Sequence, residues 1–141
     1  MDFLPLLREL VRTYQAFDSY SAQHIRTLGL TTSQFDVIAT LGNTQGMSCR
    51  EIGEKTLMVK GTLTGVLERL EKKKLIARRE NPEDKRSVLV QLTPAGEALF
   101  DRTFQSHLDF LAPAFEALGQ EKGNALQSHL AELRQILEKM P

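Results

Sequence analysis

The 141 residues, 41% apolar and 26% charged, are enough for one compact domain with a real core and argue against a disordered chain. A lone cysteine excludes an internal disulfide, and no apolar run reaches membrane-span length. Net charge is zero but unevenly spread: residues 1–54 hold four basic and six acidic side chains, 55–86 ten and five, and 87–141 four and seven. The positive excess therefore falls on one contiguous stretch, which a uniformly solvated charged surface would not require. The N-terminal MDFLPLLREL has an acid where a secretory signal needs bases. A soluble protein of the reducing cytoplasm, with no membrane partner, is the expectation.

In chain order, Phe3, Leu7, Leu10, Val11, Tyr14 and Phe17 recur at helical spacing and predict a long helix over 2–28, ended by Gly29. Thr31-x-x-Gln34 is a capping box, so Thr31 starts a second helix carrying Phe35, Val37, Ile38 and Leu41 up to Gly42. After a turn over 43–47, Ser48-x-x-Glu51 opens a short third helix reaching about residue 56. A fourth helix over 60–74 places Leu63, Val66, Leu67 and Leu70 on one inward face. Three short helices joined by tight turns predict a helix-turn-helix with the last as recognition helix.

The period then changes. Residues 76–80 and 87–92 read as strands, with a charged turn over 81–86 between them, which makes a hairpin wing. Thr93-Pro94 starts another helix in which Phe104, Leu108, Leu111, Phe115 and Leu118 keep a four-three spacing; Pro113 predicts a bend or a break. A last helix over 120–140 repeats that spacing with Leu126, Leu130, Leu133, Leu137 and Met140. Seams of this kind at both chain ends need a partner, and a second copy is the simplest. Phe3, Leu7, Leu10, Phe115, Leu118, Leu126, Leu130, Leu133 and Leu137 are the expected dimer contacts. The fold class is thus mainly α with a small β-hairpin wing: a winged helix-turn-helix lobe over 30–92, with dimerisation helices over 1–29 and 93–141, in one domain.

LTTSQFDVIATL from Leu30, the S-x-x-E helix at Ser48, and GTLTGVLERLEKKKLIARRENPEDKRSVLVQLTPAGEAL from Gly61 together resemble the MarR family. The wing segment, with D-x-R followed by L-T-x-x-G, is the most specific part. The resemblance implies a homodimer that binds a pseudo-palindromic operator in double-stranded DNA, usually as a repressor. It also implies release by a small anionic or phenolic effector, or by an oxidant. Where the family usually has glycine after the recognition helix this chain has Lys74, predicting a less sharp turn, and Val59-Lys60 lacks a capping side chain.

On the fourth helix, Gly61, Gly65, Glu68 and Lys72 fall opposite the apolar stripe, flanked by Thr62, Thr64 and Arg69. Each outward glycine costs a helix about 1 kcal/mol against alanine, which is reasonable if the backbone must approach a groove closely. Thr62 and Thr64 suit phosphates, base edges or a thymine methyl; Lys60 and Arg69 suit phosphates. Asp84 and Arg86, two apart on an extended strand, can pair. By the resemblance, Arg86 enters the minor groove, Asp84 orients it, and Lys85 touches the backbone. Ser48 and Arg50 are further phosphate candidates. Cys49, after a cap and before Arg50, is read as an ordinary buried or semi-exposed cysteine rather than a redox sensor. His24, His107 and His129 have no metal-ligand spacing and are read as surface or interface residues. No metal or cofactor is expected. No nucleophile elbow, phosphate loop or carboxylate pair suggests an enzyme. The remaining alternative is a winged-helix protein-interaction module that binds no operator.

Overall fold

The computed structural model describes residues 1–56 and 58–141. Helix α1 spans Leu4–Thr27, α2 Thr32–Leu41 and α3 Cys49–Lys55, with strand β1 at Met47–Ser48 between the last two. Helix α4 covers Lys60–Lys72, strands β2 and β3 cover Ile76–Asn81 and Asp84–Leu92, and α5 and α6 cover Pro94–Leu118 and Gln120–Glu138. The chain forms two compact units, Met1–His107 and Leu108–Pro141. Six helices and a small antiparallel sheet among the described residues make this a winged helix.

Both capping boxes form. The Thr31 hydroxyl accepts the Gln34 N–H at 3.1 Å while the Gln34 carbonyl takes the Thr31 N–H at 3.1 Å. Ser48 and Glu51 repeat the exchange at α3. Helix α4 begins at Val59 with no side-chain cap, as its sequence predicts. The core of the first unit gathers Val37, Ile38 and Leu41 of α2, Ile52 of α3, Leu63, Val66, Leu67 and Leu70 of α4, and Ile76, Val90, Leu99 and Phe100. Burial of a side chain of this size stabilises by about 1.5–3 kcal/mol, so this cluster holds the lobe together and fixes α4's orientation.

Four local expectations change. The sheet has three strands in the order β1-β3-β2, because Met47 and Ser48 pair with Val90 and Leu89 rather than lying in a turn. The wing tip is shorter than 81–86: Asn81 pairs with Asp84, leaving Pro82-Glu83 as the turn and placing Asp84, Lys85 and Arg86 in β3. Helix α5 continues through Pro113 without a break.

The turn after α4 is fully tight. Lys74 adopts φ +61°, its N–H donates to the Glu71 carbonyl at 2.9 Å, and the Leu75 N–H reaches the Leu70 carbonyl at 3.0 Å. That pair of bonds is a Schellman motif, closed here by lysine in a left-handed conformation that costs a non-glycine residue about 1–2 kcal/mol. Lys74→Gly should therefore stabilise the protein by about 1 kcal/mol, visible as a higher melting temperature, while Lys74→Ala should give no gain. An equal rise for both would remove backbone strain as the cause.

Candidate nucleic-acid interface

Burying Leu63, Val66, Leu67 and Leu70 turns the opposite side of α4 outward. Lys60, Gly61, Thr62, Thr64, Glu68, Arg69 and Lys72 are exposed and Gly65 is half-buried. A Cβ added at Gly61 or Gly65 would meet no atom within 4 Å, so packing does not demand glycine at either position. The Thr64 hydroxyl donates to the Lys60 carbonyl at 3.1 Å, which fixes its rotamer and leaves its oxygen as an acceptor.

The wing is tied down at both edges. Arg78 of β2 donates to Glu71 of α4 at 2.8 Å, and this bond to Glu71 raises the arginine's pKa, outweighing the opposing effect of burial. Arg79 donates to the Gln45 carbonyl at 3.1 Å. At the tip, Asn81 accepts the Glu83 N–H and donates to Ser87, each at 3.0 Å. The Asp84 carboxylate accepts the backbone N–H of Arg86 at 3.0 Å, and among the described residues no ion pair joins it to the Arg86 guanidinium. The expected pairing is thus a backbone bond: it holds the strand conformation and leaves the guanidinium exposed. The same two-residue separation that puts the side chains on one side also brings the N–H within reach of the shorter aspartate.

Two of the ten cations in the positive stretch, Arg78 and Arg79, thus hold the wing in place. Lys60, Arg69, Lys72, Lys73, Lys74, Lys85 and Arg86 are exposed and carry no ion pair among the described residues. Ser48's hydroxyl is engaged in the α3 cap, and Arg50 pairs with Glu54 at 3.2 Å with both side chains mostly exposed. Such a pair contributes little and can open for another anion. Cys49 is exposed at the start of α3, more open than its sequence context suggested.

The MarR family model matches residues 30–88. BpsR of Bordetella bronchiseptica, a protein whose DNA binding is regulated by 6-hydroxynicotinic acid, is 30% identical with a TM-score of 0.80, covering 92% of this chain and 98% of that one. The chain belongs to the MarR family. It shares 27% identity and a TM-score of 0.81 with a variant of E. coli MarR solved on operator DNA, over 94% of this chain and 95% of that one. The HTH-type transcriptional regulator MhqR of Bacillus subtilis is 29% identical over 119 residues, 84% of this chain and 82% of the relative. This MarR-family chain is accordingly a DNA-binding transcriptional regulator and not an enzyme. Among the described residues no helix is long and apolar enough to cross a membrane.

The predicted dimer contacts of the two units are exposed except for Leu133. Phe3, Leu7 and Leu10 are exposed in the first, together with Leu4, Leu6, Val11, Tyr14 and Phe17. In the second, Phe115, Leu118, Leu126, Leu130 and Leu137 are exposed, Leu133 is half-buried, and α6 has no buried residue.

His129 is exposed as expected and His24 half-buried, but His107 is not a surface residue. His107 is 4% exposed, its Nε2 2.9 Å from the Ser21 hydroxyl and its Nδ1 2.9 Å from the Nδ1 of His24. The His24 and His107 rings stack, and Phe35 meets His107 edge-on. No group of three metal-ligating side chains occurs among the described residues. These two histidines are 83 positions apart, so only the fold joins them. Burial, and secondarily the proximity of His24, lower the His107 pKa from its ordinary 6.5. The unfolded chain then takes up this proton at a higher pH than the folded one, so stability is full above pH 6.5 and declines as pH falls below it. Melting temperature should drop between pH 7.5 and 5.5, and His107→Gln should flatten that drop. A variant as acid-sensitive as the parent would assign the loss to other groups.

Proposed function

We propose that this regulator is a cytoplasmic repressor that binds a pseudo-palindromic operator as a homodimer and is released by a small anionic or phenolic effector. The observation that carries this reading is the row of exposed cations without ion pairs along α4 and the wing, on a chain whose terminal helices keep apolar faces uncovered. In this reading α4 enters the major groove. Thr62 and Thr64 face base edges, Gly61 and Gly65 permit close approach, and Lys60 and Arg69 meet phosphates. Ser48 and Arg50 approach the backbone from α3. Arg86 enters the minor groove, Asp84 fixes its backbone, and Lys85 lies along the phosphates.

The single domain divides its labour: residues 30–92 bind DNA, while 1–29 and 93–141 supply the dimer. Pairing of Phe3, Leu7 and Leu10 and of the Phe115, Leu118, Leu126, Leu130, Leu133 and Leu137 stripe with a second copy would remove these faces from water. A two-fold axis then sets two recognition helices about one DNA turn apart. An effector acts by binding better to a dimer whose spacing does not match the operator. The regulation of BpsR by 6-hydroxynicotinic acid supports a hydroxylated aromatic acid as the effector class.

Selection of bound fragments from genomic DNA, followed by anisotropy titration with and without 6-hydroxynicotinic acid, tests this. The reading expects an inverted repeat bound by two chains and weakened by an acid of that class. Recovery of no preferred sequence would leave only non-specific binding.

A further inference from the structure

Beside the base-facing surface of α4 lies an open groove of about 400 Å³, walled by Ser33 and Gln34 at the start of α2 and by Thr62, Gly65 and Arg69 of α4. Its chemistry follows from the α2 capping box. The Gln34 carbonyl is committed to the Thr31 N–H, so its amide nitrogen must present both hydrogens elsewhere. Gln34 is only 7% exposed, yet that nitrogen has no hydrogen-bond partner among the described residues. Among the described residues no fully enclosed polar side-chain atom lacks a partner, so the amide reaches solvent, and Gln34 is one of the residues lining the groove. That nitrogen is therefore a donor that an acceptor entering the groove can bond in place of water.

The neighbouring groups have the same polarity. Thr31 caps Gln34, leaving the Thr32 and Ser33 N–H groups without an intrahelical acceptor at the positive end of the helix. Arg69, exposed and without an ion pair among the described residues, forms the facing wall. No carboxylate lines the groove, and the missing side chain at Gly65 keeps it open. Several donors and one full positive charge around an open slot match a tetrahedral oxyanion.

We propose that this groove is a phosphodiester subsite, in which one backbone phosphate of the bound duplex is held between the Gln34 amide and α2 N-terminus on one side and Arg69 on the other. The inference rests on the DNA-binding reading above, and the DNA strand is the committed source because four groove residues, Gly61, Thr62, Gly65 and Arg69, belong to the helix face assigned to DNA. The contact reads no base. It fixes the depth and tilt of α4 in the major groove.

Gln34→Glu tests it, because glutamate serves the capping box as well as glutamine while replacing the two donors with a negative charge. The variant should melt no lower than the parent. It should bind operator and unrelated duplexes about tenfold more weakly, with a log affinity against log salt slope reduced by about 0.9, the value for the one phosphate charge that Arg69 no longer neutralises once a carboxylate lines the same groove. Because the loss is uniform, the ratio of specific to non-specific affinity should stay constant. If Gln34→Glu melts early, Ser33→Asp carries the same expectation, since an acid in the first helical turn favours the fold. A parent that binds DNA and variants that match its affinity and slope would overturn the subsite alone. So would a loss confined to the operator with the slope unchanged. A parent that binds no duplex would take the DNA reading down with it.

Discussion

Leu130→Glu should turn the protein into a monomer that binds its operator about 100-fold or more weakly, the range lost when two linked contacts become one. Leu126, Leu130 and Leu137 are 46%, 46% and 57% exposed in the single chain, spaced to form one stripe on a helix with no buried residue. Apolar surface gains about 25 cal/mol for each Å² removed from water, so a stripe this long favours association. A glutamate in the middle of it would be an unpaired charge in a desolvated seam, costing several kcal/mol. The folded lobe should be unaffected, because the core of the first unit contains no residue of α6. Sedimentation equilibrium and operator anisotropy on the same preparation read both effects. A variant that keeps twice the chain mass would show that dimerisation does not depend on this stripe.

Arg86→Ala should cost operator binding about 1–3 kcal/mol, or roughly 5- to 150-fold, the range for one well-placed arginine in a groove. The guanidinium is exposed and free of ion pairs among the described residues, while Asp84 holds the backbone beneath it. Removing the side chain therefore leaves the wing folded, anchored by Arg78 on Glu71 and Arg79 on the Gln45 carbonyl. Lys72→Ala is the comparison: an exposed lysine meeting only phosphate should reduce affinity a few-fold and lower the salt slope by about 0.9. Equal, small effects from the two substitutions would contradict a groove role for Arg86.

The parts legible in the sequence were those encoded locally. The two capping boxes, the inward stripe of α4 and the Thr93-Pro94 start of α5 all depend on residues within a turn or two of one another. What could not be read depended on partners distant in the chain. Strand β1 is two residues long, too short for any periodicity, and exists because β3 offers Val90 and Leu89 as partners. Asp84, Lys85 and Arg86 looked like a turn by composition, but ladder pairing to β2 overrides that preference. Lys74 as a residue type gives no sign of its left-handed backbone, to which only the family's usual glycine at this place points; the conformation follows from the carbonyls that α4 leaves at its end.

Within the candidate site, composition identified the positive stretch but not how each cation is used. Arg78 and Arg79 are indistinguishable from Arg86 by residue type, yet the first two are bonded to Glu71 and Gln45. Gln34 was visible as a cap; that the same residue lines a groove shared with α4 is a product of the fold. The His24–His107 contact had no local signature at all.

The most direct test is titration of the purified protein against a duplex carrying the inverted repeat recovered from its own genome, with mass and salt dependence measured together. Two chains per repeat, with affinity falling steeply as salt rises, is the expected result. A single chain in solution that leaves every duplex unbound, even in dilute buffer, would contradict it.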